Sequence, residues 1–272
     1  MYFTMDEIGA ENTNKINTIG SESSRWKFIY DIAKEYGFEG IHFTPSLYNK
    51  FKLDLNAIPD YFQEFKLTFH YGGITGIISV SDYEVFDRNF ENVFEIALKN
   101  KMHDISIHPP YIYKMTTAEK GLSLDFFSKT IDKWLKILMN SGISLSLETH
   151  VAGEWFLFDG LHEYVNFIDR HPGLGVLIDI SHNYYKPQYS EDDIVDILGN
   201  TNVKGLHISD ALRGVEFKEG THLAIGDGSI DFHRLMNGFR KFPELYGVLE
   251  IKSTNEGIER SLNNLQSMKL GG

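Results

Sequence analysis

The run LGVLIDISH, residues 174–182, decides the fold. Its GVLI core is apolar at successive positions, so both faces of the strand it forms must be covered, as in a parallel sheet flanked by helices. The run then reaches Asp179, with His182 three residues on. Working outward, GVLE closes on Glu250, KGLH on His207, SLSLE on Glu148, ISIH on His108 and LTFH on His70. Each of these short β-rich runs ends on an acid or an imidazole. A parallel barrel gathers strand ends on one face, so residues far apart in sequence can meet there.

Helical patterns separate the runs. Trp26, Ile29, Tyr30 and Ala33 share one face, as do Phe86, Phe90, Val93, Phe94 and Ala97. The clearest amphipathic helix carries Phe127, Ile131, Trp134, Leu135 and Leu138. Leu161, Val165 and Ile168 outline another, and Ser190 with Asp193 reads as a capping box before Ile194, Ile197 and Leu198. Asp231 caps Phe232, Leu235, Met236 and Phe239, and Ile258, Leu262 and Leu265 lie on a closing helix. The strands are read at 38–43, 66–72, 104–110, 144–150, 174–182, 202–210 and 246–253, with the first placed at 2–5 by elimination. Such alternation fits an open doubly wound sheet or a closed barrel. About eight repeats and no glycine-rich dinucleotide turn favour one α/β domain, a single (β/α)8 TIM barrel over residues 1–272. The irregular stretch 211–229 is read as an active-site loop.

The chain has no cysteine, which excludes disulfides and thiolate metal sites and is compatible with a reducing cytoplasm, the expected location. The opening MYFTMDEIGAEN has no basic segment leading into an apolar core, so no signal peptide is expected. Apolar runs fall short of a membrane span, and no membrane partner is expected. A formal charge of -12 disfavours nucleic acid as a partner.

Glu148, Asp179, His207 and Glu250 are the sharpest candidate metal ligands. Three carboxylates and an imidazole suit Mn, Mg or Co, and zinc also fits. The plain alternative is that each residue closes a strand, caps a helix or pairs with Lys or Arg. His70 and His108, with Glu148 as a bridge, make a candidate second metal position. Equally, the two imidazoles would hydrogen-bond substrate hydroxyls. His182 and His222 are candidate substrate or extra metal contacts, and His150 is placed behind Glu148 as support. His42 ends the second strand and is a further pocket candidate, whereas His103, His162, His171 and His233 are assigned solvent or structural roles. Arg213 offers a fork for a hydroxyl pair, carboxylate or phosphate, and Lys252 lies two residues beyond Glu250 on the same strand face. Trp155, Phe156 and Phe158 can wall a sugar or pack as a lid. The glycines of IGDGSID (225–231) allow tight backbone at the barrel mouth.

At these residues, from about Phe38 to the C-terminus, the chain resembles the xylose isomerase-like barrel superfamily. Its ketose 3-epimerase branch holds a metal through Glu, Asp, His and Glu on strands five to eight, which match Glu148, Asp179, His207 and Glu250. The branch's substrate histidine matches His182, its arginine matches Arg213, and GDGSIDF is similar to its loop signature. The endonuclease IV branch is also similar. Its zinc ligands match His70, His108, Glu148, Asp179, His182, His207, His222 and Glu250, but Gly220 stands where that branch has an Asp. Its Asn–Asp–Ser–Lys run reads here as Ser209, Asp210, Ala211 and Leu212, and His42 replaces a Glu common among the isomerases.

The resemblance implies a divalent-metal-dependent isomerase or epimerase acting on a small sugar or sugar phosphate through an enediolate. Glu148 and Glu250 would be the catalytic acid and base, on opposite faces of the reacting carbon. The alternatives it leaves are a zinc phosphodiesterase of the endonuclease IV type and a noncatalytic sugar-binding relative. A homo-oligomer is compatible with all three.

Overall fold

The structure is a computed structural model that describes residues 1–6, 8–72, 74, 76–150, 156–242 and 245–270, with backbone alone at 46–47 and 269–270. Eight strands run β1 (Tyr2–Met5), β2 (Gly40–Phe43), β3 (Lys66–Tyr71), β4 (Asp104–Ile107), β5 (Ser144–Glu148), β6 (Gly175–Asp179), β7 (Val203–Ile208) and β8 (Tyr246–Leu249). They form a closed barrel in sequence order, with every neighbouring pair parallel. Tyr2 to Met5 pairs with Tyr246 to Leu249 and seals it. The helices are α1 (Ala10–Ile16), α2 (Glu22–Glu35), α3 (Pro45–Lys50), α4 (Val80–Lys99), α5 (Thr117–Leu138), α6 (Leu161–Asp169), α7 (Ile180–Tyr185), α8 (Glu191–Leu198), α9 (Phe217–Gly220), α10 (Phe232–Phe239) and α11 (Asn255–Leu270). Among the described residues, no helix is long and apolar enough to cross a membrane.

Strand periodicity sorts the side chains into two environments. Phe3, Ile41, Phe69, Ile105, Leu145, Val176, Leu206 and Leu249 join the large apolar core with Trp26, Phe90, Phe127 and Trp134 of the helices. Tyr2, Leu177, Tyr246 and Val248 form a separate small cluster. Much of the remaining alternate set is polar. His42 Nδ1 meets Thr68 Oγ1 at 2.6 Å and His70 Nδ1 meets Ser106 Oγ at 2.9 Å. Below them, Asp104 accepts from Ser146 Oγ at 2.8 Å and Tyr246 Oη at 2.6 Å. Buried polar groups persist only when hydrogen-bonded, so these pairs let polar side chains line the strands up to their C-terminal ends.

Two expectations change at strand ends. The run 174–182 stops at Asp179, because its carboxylate accepts the His182 N–H at 2.8 Å and caps α7. β8 stops at Leu249, so Glu250 and Lys252 lie past the ladder rather than along one strand face. Helix α5 is a turn or more longer than its apolar pattern, reaching back to a Thr116–Glu119 capping box.

Candidate metal centre

Glu148 is the hub. It ends β5 with its side chain 2 % exposed. One oxygen, Oε1, lies 3.5 Å from His207 Nδ1 of β7. The other, Oε2, lies 2.9 Å from His108 Nε2 and 3.4 Å from His70 Nε2. His207 Nδ1 is also 2.8 Å from Glu250 Oε2. Asp179 joins from β6, and donor atoms of Glu148, Asp179 and His207 all fall within 4.8 Å of one another. A second such group is His70, His108 and Glu148. The carboxylate of Glu148 thus faces one cluster with each oxygen.

These contacts are poor hydrogen bonds. Among the described residues, Glu148 Oε2, Asp179 Oδ2, Glu250 Oε2, His207 Nδ1, His182 Nδ1 and His150 Nδ1 are buried without a hydrogen-bond partner. Each unsatisfied buried polar group costs about 1–3 kcal/mol. Ligand atoms held ~2.1 Å from one ion in tetrahedral or octahedral arrangement lie roughly 3–3.4 Å apart. The separations of 2.8–3.5 Å around Glu148 and His207 match that spacing. The donors of Glu148, Asp179 and His207 therefore fit a divalent cation, while Glu250 approaches this group through His207 and lies outside the close set.

Protonation follows the same logic. Burial alone would raise the Glu148 carboxyl, but the His108 and His207 imidazoles hold it well below the usual carboxylate range. Glu250 is likewise pushed up by burial and held low by His207 and His222. Burial and the adjacent Glu148 and Glu250 charges push Asp179 well up. His207 is raised despite burial, because it faces both glutamates. Burial takes His70 and His150 down to about 3, and it lowers His42, His182 and His222 too. Neutral imidazoles and ionised carboxylates are the ligand-ready forms, so Asp179 and His207, both raised, would each give up a proton when an ion binds.

The other candidates fall into place around this hub. His182 Nδ1 lies 3.0 Å from Asp179 Oδ2, and its Nε2 lies 3.0 Å from His222 Nε2. His222 has a left-handed backbone, φ 57°, and its Nδ1 faces the Glu250 carbonyl at 3.3 Å. Gly220 offers no ligand, and a Cβ there would come 2.6 Å from the Leu212 carbonyl, so this loop has no room for a carboxylate at that position as it stands. His42 packs beneath, 3.4 Å from His207 through the Nε2 atoms. Arg213 does not present a free fork. Its Nε donates to the Tyr184 carbonyl at 2.7 Å, its Nη2 donates to the Tyr189 carbonyl, and its guanidinium covers the Tyr184 ring at 4.0 Å. Lys252 is exposed at the rim, where its N–H donates to the His222 carbonyl at 2.9 Å. Phe158 is buried in the core, whereas Phe156 stacks on His150 at 3.8 Å. Trp155 lies outside the described residues.

Two residues were undervalued in the sequence. His150 is not behind the site: with Glu148 and His182 it forms a third group of close donors. The chain turns directly after β5, with the His150 N–H donating to the Glu148 carbonyl at 2.9 Å, and strand parity cannot foresee that turn. Asp210 organises the 211–229 loop. Its carboxylate accepts backbone N–H groups from Ala211, Gly226, Gly228 and Ile230. A Cβ on Gly228 would collide with Asp210 Oδ1 at 2.2 Å, so this glycine makes room for an internal carboxylate. An acid three residues past His207, followed by G-x-G, was the available signal.

Known proteins agree with this architecture. A curated relative, the probable endonuclease 4 of Methanosphaera stadtmanae, is 25% identical over 199 residues, covering 68% of each chain. Among solved structures, a D-tagatose 3-epimerase-like protein superposes with a TM-score of 0.75 at 17% identity over 99% of this chain and 97% of that one. The IolI protein with a bound zinc atom gives 0.73 at 14% identity over 99% and 97%. An AP endonuclease, family 2, from Brucella melitensis gives 0.69 at 15% identity over 98% and 99%. At those identities the structures share the fold. The model of the xylose isomerase-like TIM barrel family matches residues 30–268, and the chain belongs to that family.

Proposed function

We propose that this protein is a divalent-metal-dependent isomerase or epimerase of a small sugar or sugar phosphate. Glu148, Asp179, His207 and Glu250 would hold the ion, with manganese, magnesium, cobalt and zinc all suited to the donor set. The observation that carries the reading is that Glu148 and Glu250 both approach one atom, His207 Nδ1, at 3.5 and 2.8 Å. When bound, the cation supplies Lewis acidity to a substrate carbonyl. Glu148 and Glu250 take a proton from the adjacent carbon and return one. Return on the opposite face epimerises, and return to the neighbouring carbon isomerises. A positioned carboxylate base contributes ~10²–10⁴-fold. His182 and His222 orient substrate oxygens. Arg213 serves from behind by fixing the chain after α7, and Lys252 is assigned to the mouth. A cytoplasmic location belongs to this reading, and the acidic balance disfavours a nucleic-acid substrate.

One observation favours a second reading, a two-metal hydrolase of the endonuclease IV type. His70 Nε2, His108 Nε2 and Glu148 Oε2 converge as a further ligand group. Metal analysis and solvent exchange separate the two. One ion per chain, with deuterium entering a ketose or ketose phosphate from D2O, supports the isomerase. Two or three zinc ions with phosphodiester cleavage support the hydrolase. Exchange at wild-type rate in both Glu148→Gln and Glu250→Gln would remove the acid–base roles.

A further inference from the structure

An open cleft of about 730 Å³ lies beside the candidate metal centre, between the loops that follow β1, β2 and β8. Lys50 in the last turn of α3, Lys252, Thr13, Asn14, Ser253 and Thr254 line it. We propose that this cleft binds the phosphate of a phosphomonoester substrate. The inference rests on the proposed reaction only for where the substrate's reacting end sits; the anion site itself rests on the cleft.

Charge is the first argument. The chain carries -12, yet among the described residues none that lines this cleft is acidic. Some surface cations are held by acids: Lys27 pairs with Asp31, Lys133 with Asp87, Arg234 with Asp192 and Arg260 with Asp227. Among the described residues, neither Lys50 nor Lys252 has a carboxylate partner. Glu11, which follows the lining residue Ala10, accepts the Asn255 N–H at 2.7 Å and is thereby turned to the start of α11. Two ammonium groups with neighbouring hydroxyls and an amide suit a dianionic group, which lysine binds as a point charge.

Position is the second argument. Ile251 lines the cleft and directly follows Glu250, and the Lys252 N–H is tied to the His222 carbonyl at 2.9 Å. In this proposal a substrate whose reacting carbon lies at Glu250 would place its phosphate at these lysines. The cleft floor is set by Gly9, whose φ of 82° and ψ of 157° are essentially open to glycine alone. A Cβ there would meet Asn255 Oδ1 at 2.2 Å, so this glycine lets α1 and α11 start side by side.

The test uses the full chain loaded with zinc and compares wild type with Lys50→Met/Lys252→Met, with metal content as the folding check. Inorganic phosphate is titrated calorimetrically, and KM is measured for a ketose phosphate and for the same ketose without phosphate. The expected result is phosphate affinity weakened about tenfold or more, with KM for the phosphorylated sugar rising more than for the free sugar. Equal phosphate affinity in the two proteins overturns the proposal. So does a loss seen with a short DNA duplex but not with inorganic phosphate. If phosphate affinity falls in the variant while no sugar ever exchanges deuterium, the anion site stands and the isomerase reading fails.

Discussion

Glu148→Gln is the most informative single change, because the side chain keeps its shape and loses its charge. In the metal-free protein two effects oppose each other. The variant loses attraction to His207, 3.5 Å away, worth on the order of 4–5 kcal/mol gross at an effective dielectric near 20. It also relieves Asp179, which is pushed up by burial and then by the Glu148 charge. Glu250 still faces His207 at 2.8 Å, so metal-free stability should move by less than the gross figure. Metal-bound stability has no such compensation, because Glu148 supplies an oxygen to each of two ligand groups. Loss of an outer supporting group typically weakens metal affinity ~10–100-fold. A direct ligand should therefore cost about 100-fold, or ~2.7 kcal/mol of metal-linked stabilisation at saturation. For a chain of this size that is roughly 5–10 °C in the metal-induced rise of Tm. Differential scanning fluorimetry with and without zinc or manganese reads it directly. A variant whose metal-induced rise equals that of wild type would refute the assignment of Glu148 as a ligand.

Other outcomes follow from the same geometry. Replacing both His70 and His108 by alanine should lower the metal count by one if Glu148 bridges two ions; plasma mass spectrometry on dialysed protein decides, and an unchanged count above one would contradict the bridge. Burial raises the Asp104 carboxyl although Ser144, Tyr246 and Ser146 donate to it. Its folded pKa lies above its unfolded value, so the stability it contributes is full below about 3.9 and falls as pH rises through the folded value. Asp104→Asn should flatten that part of the stability–pH curve in urea titrations, and an unaltered slope would count against it. The capping box of Ser190 and Asp193 predicts a loss of about 1 kcal/mol for Ser190→Ala, measurable by chemical denaturation, with no change in metal content.

The barrel was legible because its outward-facing strand positions are apolar and its helices show clean periodicity. Even β1, placed at 2–5 by elimination, falls at Tyr2–Met5. The short helices α1, α3, α7 and α9 were not legible, since a segment of four to seven residues spans too few turns to show a period. Glu148, Asp179 and His207 could be picked out because strand parity carries them inward at the ends of β5, β6 and near the end of β7. Residues beyond strand ends obey no parity. Asp179 starts a helix instead of continuing a strand, which sets His182; the chain turns at once after Glu148, which brings in His150; and the Arg213 guanidinium is taken by two backbone carbonyls that no local pattern announces.

Anomalous diffraction from crystals grown with zinc or manganese tests the central claim most directly. An ion should lie about 2.0–2.3 Å from donor atoms of Glu148, Asp179, His207 and Glu250 together. An ion held by other residues, or none at saturating metal, would contradict it.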